Sequence, residues 1–331
     1  MTVIGIDVGG TKIAAALFRE DGQILTRKRA DILRRGGAEV GALIVELASR
    51  LLDSGEARAA PPRAIGAIVP GIYWSEGPSR GRVWAPNIPG WDDYPLLDEL
   101  RALADAHLSG TSDIAVQVDS DRAGCVLGET WRGVAQGARN AIFVAVGTGI
   151  GAGILVDGHI LRGARDIAGA TGWMALDRPY RPGYKDVGCF EYNASGPGIV
   201  RVARDYLAET PSYAGTLRRA AARDALTTAA VFEAADAGDE LALRVVDNAI
   251  AHWGMAVANY VSLFDPEIIV FGGGVFGPAA RYLDRIRGEA LLWGQPISMP
   301  QVRLAVSALG GDAGLLGAGH LALRAIDSDM S

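Results

Sequence analysis

The stretch Val3–Leu25, VIGIDVGGTKIAAALFREDGQIL, decides the fold. It opens on a short apolar run carrying one acid, Asp7. It then turns through Gly9, Gly10, Thr11 and Lys12 and enters a second apolar run that ends at Asp21–Gly22. Apolar runs bounded by glycine and by Asp-Gly are strands joined by tight turns. A Gly-Gly-Thr turn can bring backbone N–H groups and a hydroxyl close to a phosphate, because glycine has no Cβ in the way. The Walker spacing GxxxxGK[ST] is missing, and a plain hairpin turn is the competing reading of the same residues.

The chain does the same thing twice. Residues 142–161 read IFVAVGTGIGAGILVDGHIL: apolar run, Gly-Thr-Gly turn, apolar run, Asp157–Gly158, then Ile160–Leu161. An internal repeat at this separation predicts two related domains that face each other. Their glycine-threonine turns would then clamp a polyphosphate.

Composition narrows the class. The 331 residues suffice for two domains, and 49% hydrophobic content allows substantial cores. The net charge of −6 gives no support to a nucleic-acid surface. Two cysteines, Cys125 and Cys189, make no disulfide framework and suggest a reducing compartment. The N-terminus enters a strand with no basic leader, and no apolar run reaches the ~18 residues of a membrane span. A soluble, cytoplasmic protein is expected, with neither nucleic acid nor membrane as partner.

Further along, the pattern predicts a third strand at Ile24–Arg29, a helix over Glu39–Leu52 and a strand at Ala64–Val69 ending in Pro70–Gly71. A Gly/Pro/Ser-rich loop, Tyr73–Pro89, has the length of functional loops. A helix follows at Pro95–Ala106. A strand at Ile114–Val118 then runs into DSDRAGCVLGE, where Ser120 or Asp121 can cap a new helix. Beyond the second hairpin, GCFEYNASG (188–196) reads as a glycine-bounded turn, and helices follow through Arg201, over Thr227–Ala237 and over Leu241–Leu263. IIVFGGGVFG is a buried strand running into Gly272, Gly273 and Gly274. Arg281–Leu291 is amphipathic, Val302–Ala305 is strand-like, and Gly310–Leu323 is a final helix packing closely through Gly and Ala. The alternation of helix and strand argues α/β architecture.

Several residues can carry chemistry. Asp121 sits where a strand ends and a helix starts, the place where ligands gather in open α/β sheets. A carboxylate there can take a proton from a hydroxyl that attacks a phosphate. The competing role is that of helix cap, and Asp119, two residues away, is the rival carboxylate. Asp7 can hold magnesium, directly or through water, or serve as a hydrogen-bonded turn acid. Thr11, Lys12 and Thr148 are candidate phosphate contacts, although Lys12 also fits a solvated strand residue. Gly272–Gly274 would let a base or ribose approach the backbone. His107, His159, His252 and His320 have no metal-ligand spacing with either cysteine and read as surface or core histidines.

Taken together these residues resemble the ROK family, sugar kinases and repressors of the actin, hsp70 and hexokinase superfamily. The resemblance runs from Val3 to Leu323. DVGGTK resembles the family's first phosphate motif, and GTGIGAGILVDGHILRG the second. Pro70–Gly71 and APNIPGW (85–91) match its sugar-side loops. SDRAGCVLGE (120–129) is similar to NDANAAALGE, whose aspartate, here Asp121, is the catalytic base. ANYVSLFDPEIIVFGGGVFG resembles the adenosine-side motif and GDAGLLGA the closing one.

The resemblance implies two actin-like (ribonuclease H-like) α/β domains with a cleft between them, at residues 1–119 and 120–331, the last helix being free to pack back on the first domain. It implies ATP held through Gly9, Gly10, Thr11, Lys12, Thr148, Gly149, Gly273 and Gly274, with Mg2+ near Asp7. It implies a sugar or polyol held by Gly71, Asn87, Ser120, Trp173 and Glu191, and a homodimer. The reaction it implies is ATP-dependent phosphorylation of a hydroxyl, usually the primary 6-hydroxyl, of a hexose such as glucose. The alternatives are an amino sugar or C7-cyclitol as acceptor, or a non-catalytic sugar-sensing regulator.

Four departures stand out. Ser120 replaces the family's Asn. The GExGH run is GATGW (169–173), so its Glu is Ala170 and its His is Trp173. The zinc motif CxCGxxGCxE survives only as GCFE, with Cys189 and Glu191. One cysteine and no histidine cannot close a four-ligand zinc site, so no zinc is expected. The sequence opens on a strand without the repressors' helix-turn-helix, so a DNA-binding role is not expected.

Overall fold

The structure is a computed structural model that describes residues 1–107 and 113–328. In chain order its elements are β1 (Thr2–Val8), β2 (Lys12–Arg19), β3 (Ile24–Asp31), α1 (Gly37–Leu52), α2 (Gly55–Ala59), β4 (Pro62–Val69), β5 (Ile72–Tyr73), β6 (Val83–Trp84), α3 (Leu96–Ala106), β7 (Ala115–Ser120), α4 (Asp121–Arg132), β8 (Ala141–Val146), β9 (Ile150–Val156), β10 (His159–Ile160), α5 (Tyr184–Val187), α6 (Cys189–Ala194), α7 (Gly196–Glu209), α8 (Thr216–Ala222), α9 (Thr228–Asp236), α10 (Glu240–Phe264), β11 (Ile268–Gly272), α11 (Leu283–Trp293), β12 (Arg303–Val306) and α12 (Ala313–Ser328). Where the sequence reading had only a glycine-bounded turn around Cys189 and Glu191, the chain forms α6, a helix of 6 residues.

The chain divides into two compact units interleaved along the sequence. The first comprises 1–137, 160–168 and 308–331; the second 138–159 and 169–307. The first unit's five-stranded sheet has the order β3-β2-β1-β4-β7. The β1–β2 and β2–β3 pairs are antiparallel, whereas β4 and β7 join in parallel. The second sheet, β10-β9-β8-β11-β12, repeats this pattern: β8–β9 antiparallel, β8–β11 and β11–β12 parallel. The strand–glycine–strand repeat in the sequence is therefore a repeat of sheet topology.

Each unit buries its own core. In the first, Ile4, Ile6, Ile13 and Ile65 of the sheet share one core with Ile44 of α1 and Leu100 of α3. On the sheet's other face, Val3, Phe18, Trp131, Leu315 and Ala322 form a second layer. In the second unit, Ile142, Val144, Val245, Trp253 and Phe271 belong to one core that includes α7, α9 and α10. Burying a large aliphatic side chain contributes about 1.5–3 kcal/mol, so both cores are substantial. Among the described residues no helix is long and apolar enough to cross a membrane.

Candidate active site

In the first unit, the carboxyl end of β7 delivers the candidate base. Ser120, not Asp121, caps α4: its hydroxyl accepts the Ala123 N–H at 3.3 Å. Asp121 is the first residue of the helix, one position after the Ser120 cap. Burial raises its pKa, while the charge of Arg122 and the N–H groups of Arg122 and of Asp121 itself pull it down. The rival, Asp119, is engaged elsewhere. It is 4% exposed, forms an ion pair with Arg162, and accepts the Ser120 N–H at 2.8 Å.

Asp7 lies one residue before the end of β1. Burial, and next the negative charge of Asp121, raise its pKa to about 6, against the pull of Lys12. Asp312 adds a further small push, and a Cβ at Gly314 would come within 2.9 Å of Asp7 Oδ2. The Gly9–Lys12 turn is closed by Gly9 N–H donating to the Lys12 carbonyl at 2.9 Å. Thr11 and Lys12 are exposed there. Gly10 abuts the sugar-side loop, since a Cβ on it would meet Asn87 Nδ2 at 2.9 Å. Gly71, at φ +88°, runs so close to the Trp84 carbonyl that no side chain fits, and its own carbonyl accepts from Arg122 at 3.4 Å. Asp7, Gly10, Gly71, Asn87, Ser120 and Asp121 thus belong to one unit, at strand ends and the loops beside them.

The second unit gathers the other candidates. The Gly147–Gly149 turn is closed by Gly147 N–H donating to Gly149 at 2.9 Å, and the Gly196 N–H donates to the Gly147 carbonyl at 2.8 Å. This sets the start of α7, capped by Ser195, against the turn. The sequence reading missed Ser195 and Gly196; the Ser-Gly-Pro of a helix start was the available signal. Gly273, at φ +88°, lies with its Cα against the Val146 backbone, where a Cβ would come within 2.4 Å of the carbonyl oxygen. Thr148, Gly273 and Gly274 therefore share the ends of neighbouring strands β8 and β11. Glu191 Oε2 accepts the Ile150 N–H at 2.7 Å, and burial raises its pKa. A Cβ at Gly149 or Gly172 would lie near this carboxylate.

Next to Gly172, Trp173 is 56% exposed and borders a cavity of about 940 Å3 with Pro179, Tyr180, Tyr184 and Cys189. The stretch that resembles a broken zinc motif is held by hydrogen bonds. Tyr184 Oη donates to Asp177 at 2.7 Å, and Asn193 Nδ2 donates to the Cys189 carbonyl at 2.9 Å. Among the described residues no group of three or more His, Cys, Asp and Glu side chains comes together to hold a metal.

Residues 3–325 match the model of the ROK family. This chain belongs to the ROK family. It is 32% identical over 324 residues to a glucokinase of Halalkalibacterium halodurans, covering 96% of this chain and 94% of that one. It is 31% identical to an N-acetylmannosamine kinase of Salmonella heidelberg, covering 97% and 98%. Among solved structures, a ROK family glucokinase from Streptomyces griseus in complex with glucose and AMPPNP superposes with a TM-score of 0.69 at 30% identity, covering 98% of this chain and all of that one. The ROK fold is the actin-like one, and both five-stranded sheets conform to it.

Proposed function

We propose that this ROK protein is an ATP-dependent sugar kinase that transfers a phosphoryl group to a hydroxyl of a hexose, the primary 6-hydroxyl of glucose being the first candidate. One observation carries the reading: Ser120 takes the capping role at the start of α4, which frees the partly desolvated Asp121 to act as base. A raised pKa makes a carboxylate a better proton acceptor, and general base help of this kind is worth roughly 10²–10⁴-fold. Asp121 takes the proton of the acceptor hydroxyl while that oxygen bonds to the terminal phosphorus of ATP. The bond from phosphorus to the bridging oxygen breaks and ADP leaves.

Gly9, Gly10, Thr11, Lys12, Thr148 and Gly149 are assigned to the donor phosphates, and Gly273 and Gly274 to its nucleoside. Gly71, Asn87, Ser120, Trp173 and Glu191 are assigned to the acceptor. Catalysis of this kind is mostly positioning and electrostatics. Asp7 fits a magnesium ion carried by the nucleotide, because its buried carboxylate and that of Asp121 raise the local cost of negative charge. Magnesium is usually held by one or two carboxylates plus substrate phosphates, not by an all-protein cage. When bound, it neutralises charge on the phosphates. The protein is assigned to the cytoplasm, as a homodimer.

Asp121→Asn tests the base. Turnover is expected to fall at least roughly 10²-fold, with nucleotide binding and folding near normal. Unchanged turnover would move the base elsewhere.

A second reading of the acceptor rests on the apolar cavity at Trp173. Ala170 offers no acceptor group, and Trp173 offers a ring face and one N–H donor. Such a wall suits an acyl substituent or the apolar face of a ring better than a hydroxyl. On this reading an amino sugar or cyclitol has a higher kcat/KM than glucose, and Trp173→His shifts the ratio toward glucose. A panel with a coupled ADP readout decides. Glucose ranking first, with no response to Trp173→His, leaves the plain glucokinase reading standing.

A further inference from the structure

Residues 160–168 return to the first unit and are pinned there twice. Arg162 pairs with the buried Asp119. Asp166 accepts from Ser75 through both its backbone N–H, at 2.9 Å, and its hydroxyl, at 2.5 Å. Alongside these anchors lies a polar cavity of about 470 Å3, lined also by the loop after β5, by α3 and by β7. None of the residues assigned to donor or acceptor lines it.

Three arginines line this cavity, Arg80, Arg101 and Arg162, together with Tyr73 and Gln117. The acids on the lining are Glu76 and Asp166. Arg162 is already matched by Asp119, and Asp166 is occupied by Ser75. Arg80 and Arg101 are left with Glu76 alone, and among the described residues neither makes an ion pair. A guanidinium fork matches the oxygens of a phosphate in pairs. Tyr73 sits close enough to sense Arg101, Arg80 and Arg162, and its burial raises the phenol's pKa, which keeps it a donor at neutral pH. The volume is that of a small-molecule site.

We infer that this cavity binds a phosphate dianion, free or carried on a small ester, with Arg80 and Arg101 forked onto its oxygens and Tyr73 donating to it. The loop that supplies Tyr73 and Arg80 lies between Gly71 and Asn87, so an occupied site would brace the chain that carries both. A lowered acceptor KM is the expected consequence, and that consequence alone rests on the kinase reading.

The test is calorimetric titration of the full chain with inorganic phosphate and, separately, with a hexose 6-phosphate, at matched ionic strength. Both are repeated on the R80A/R101A double variant. Dependence on the two arginines is the readout, because the donor-phosphate turns can also hold phosphate. Removing two charge-assisted contacts is expected to weaken binding at least about tenfold. Which titrant shows that loss identifies free or esterified phosphate as the ligand. Arg80 and Arg101 are exposed, so the thermal midpoint without phosphate should match the parent chain. Equal affinity in parent and double variant for both titrants, or no binding to the parent, overturns the site. Loss of turnover in the double variant at saturating substrates overturns its separation from the catalytic residues. Retained turnover with lost phosphate binding supports the site.

Discussion

Asp7 shows at the residue scale what the assigned chemistry demands. Its carboxyl is raised from 3.8 to about 6 because burial and the neighbouring Asp121 both disfavour its charge. The folded chain therefore holds this proton more tightly than the unfolded chain does. The resulting contribution to stability is fully present below pH 3.8 and is lost as pH rises through about 6. At neutral pH the charged carboxylate costs up to ~3 kcal/mol of folding stability, since one pKa unit is about 1.4 kcal/mol. Asp7→Asn should therefore be more stable than the parent chain at pH 7, by a margin that shrinks to about 0.5 kcal/mol at pH 4, while turnover drops. Urea unfolding at the two pH values checks it; an equal difference at both would sink the argument. Asp7 and Asp121 were both legible as candidates, because each follows an apolar strand run. Their electrostatic coupling was not, because Asp121 stands 114 positions after Asp7 and the two come together only once β1 and β7 flank β4 in the sheet. The choice between Ser120 and Asp121 as cap also needed coordinates, since either side chain suits the position.

Among the elements, α12 and α4 are joined by a seam of glycines. A Cβ at Gly317 would lie 1.8 Å from the Gly124 carbonyl oxygen, and one at Gly128 would lie 2.2 Å from that of Ala313. On its other side α12 meets the sheet equally closely, with Gly66 against the Ala318 carbonyl. The sequence announced this packing through the Gly/Ala-rich GGDAGLLGAGHLAL run, but not the partner helix. Alanine in a helix interior ordinarily gains up to ~1 kcal/mol over glycine. Gly317→Ala and Gly128→Ala should instead cost about 1–3 kcal/mol through forced displacement of backbone. Gly288 in α11 is the control: a Cβ there meets nothing within 4 Å, and Gly288→Ala should stabilise. Chemical denaturation midpoints of the three variants measure the contrast, and a stabilised Gly317→Ala would mean that the seam is loose. The short α6 escaped the sequence reading for a different reason. Its 6 residues give less than two turns, too few for a helical period to emerge.

For the molecule as a whole, the two glycine-threonine hairpins made the doubled architecture readable, because each marks the first hairpin of its sheet. The interleaving was hidden: nothing local in GHILRGARDIAG announces that residues 160–168 belong with the first unit. We propose that the two units are separate cooperative units of stability, each holding its own buried core. Leu100 is fully buried in the first of these cores, and truncating such a side chain to alanine costs about 2–5 kcal/mol. Local opening follows cooperative units, not sequence position. Leu100→Ala should therefore speed amide exchange in β1, β4 and β7, and equally in α12, more than 200 positions downstream. Exchange in β8, β9 and α10 should stay close to that of the parent chain. Hydrogen exchange read by mass spectrometry resolves these segments. Acceleration spread evenly over α10 and α12 would show one cooperative unit in place of two, and acceleration that spared α12 would detach the last helix from the first unit.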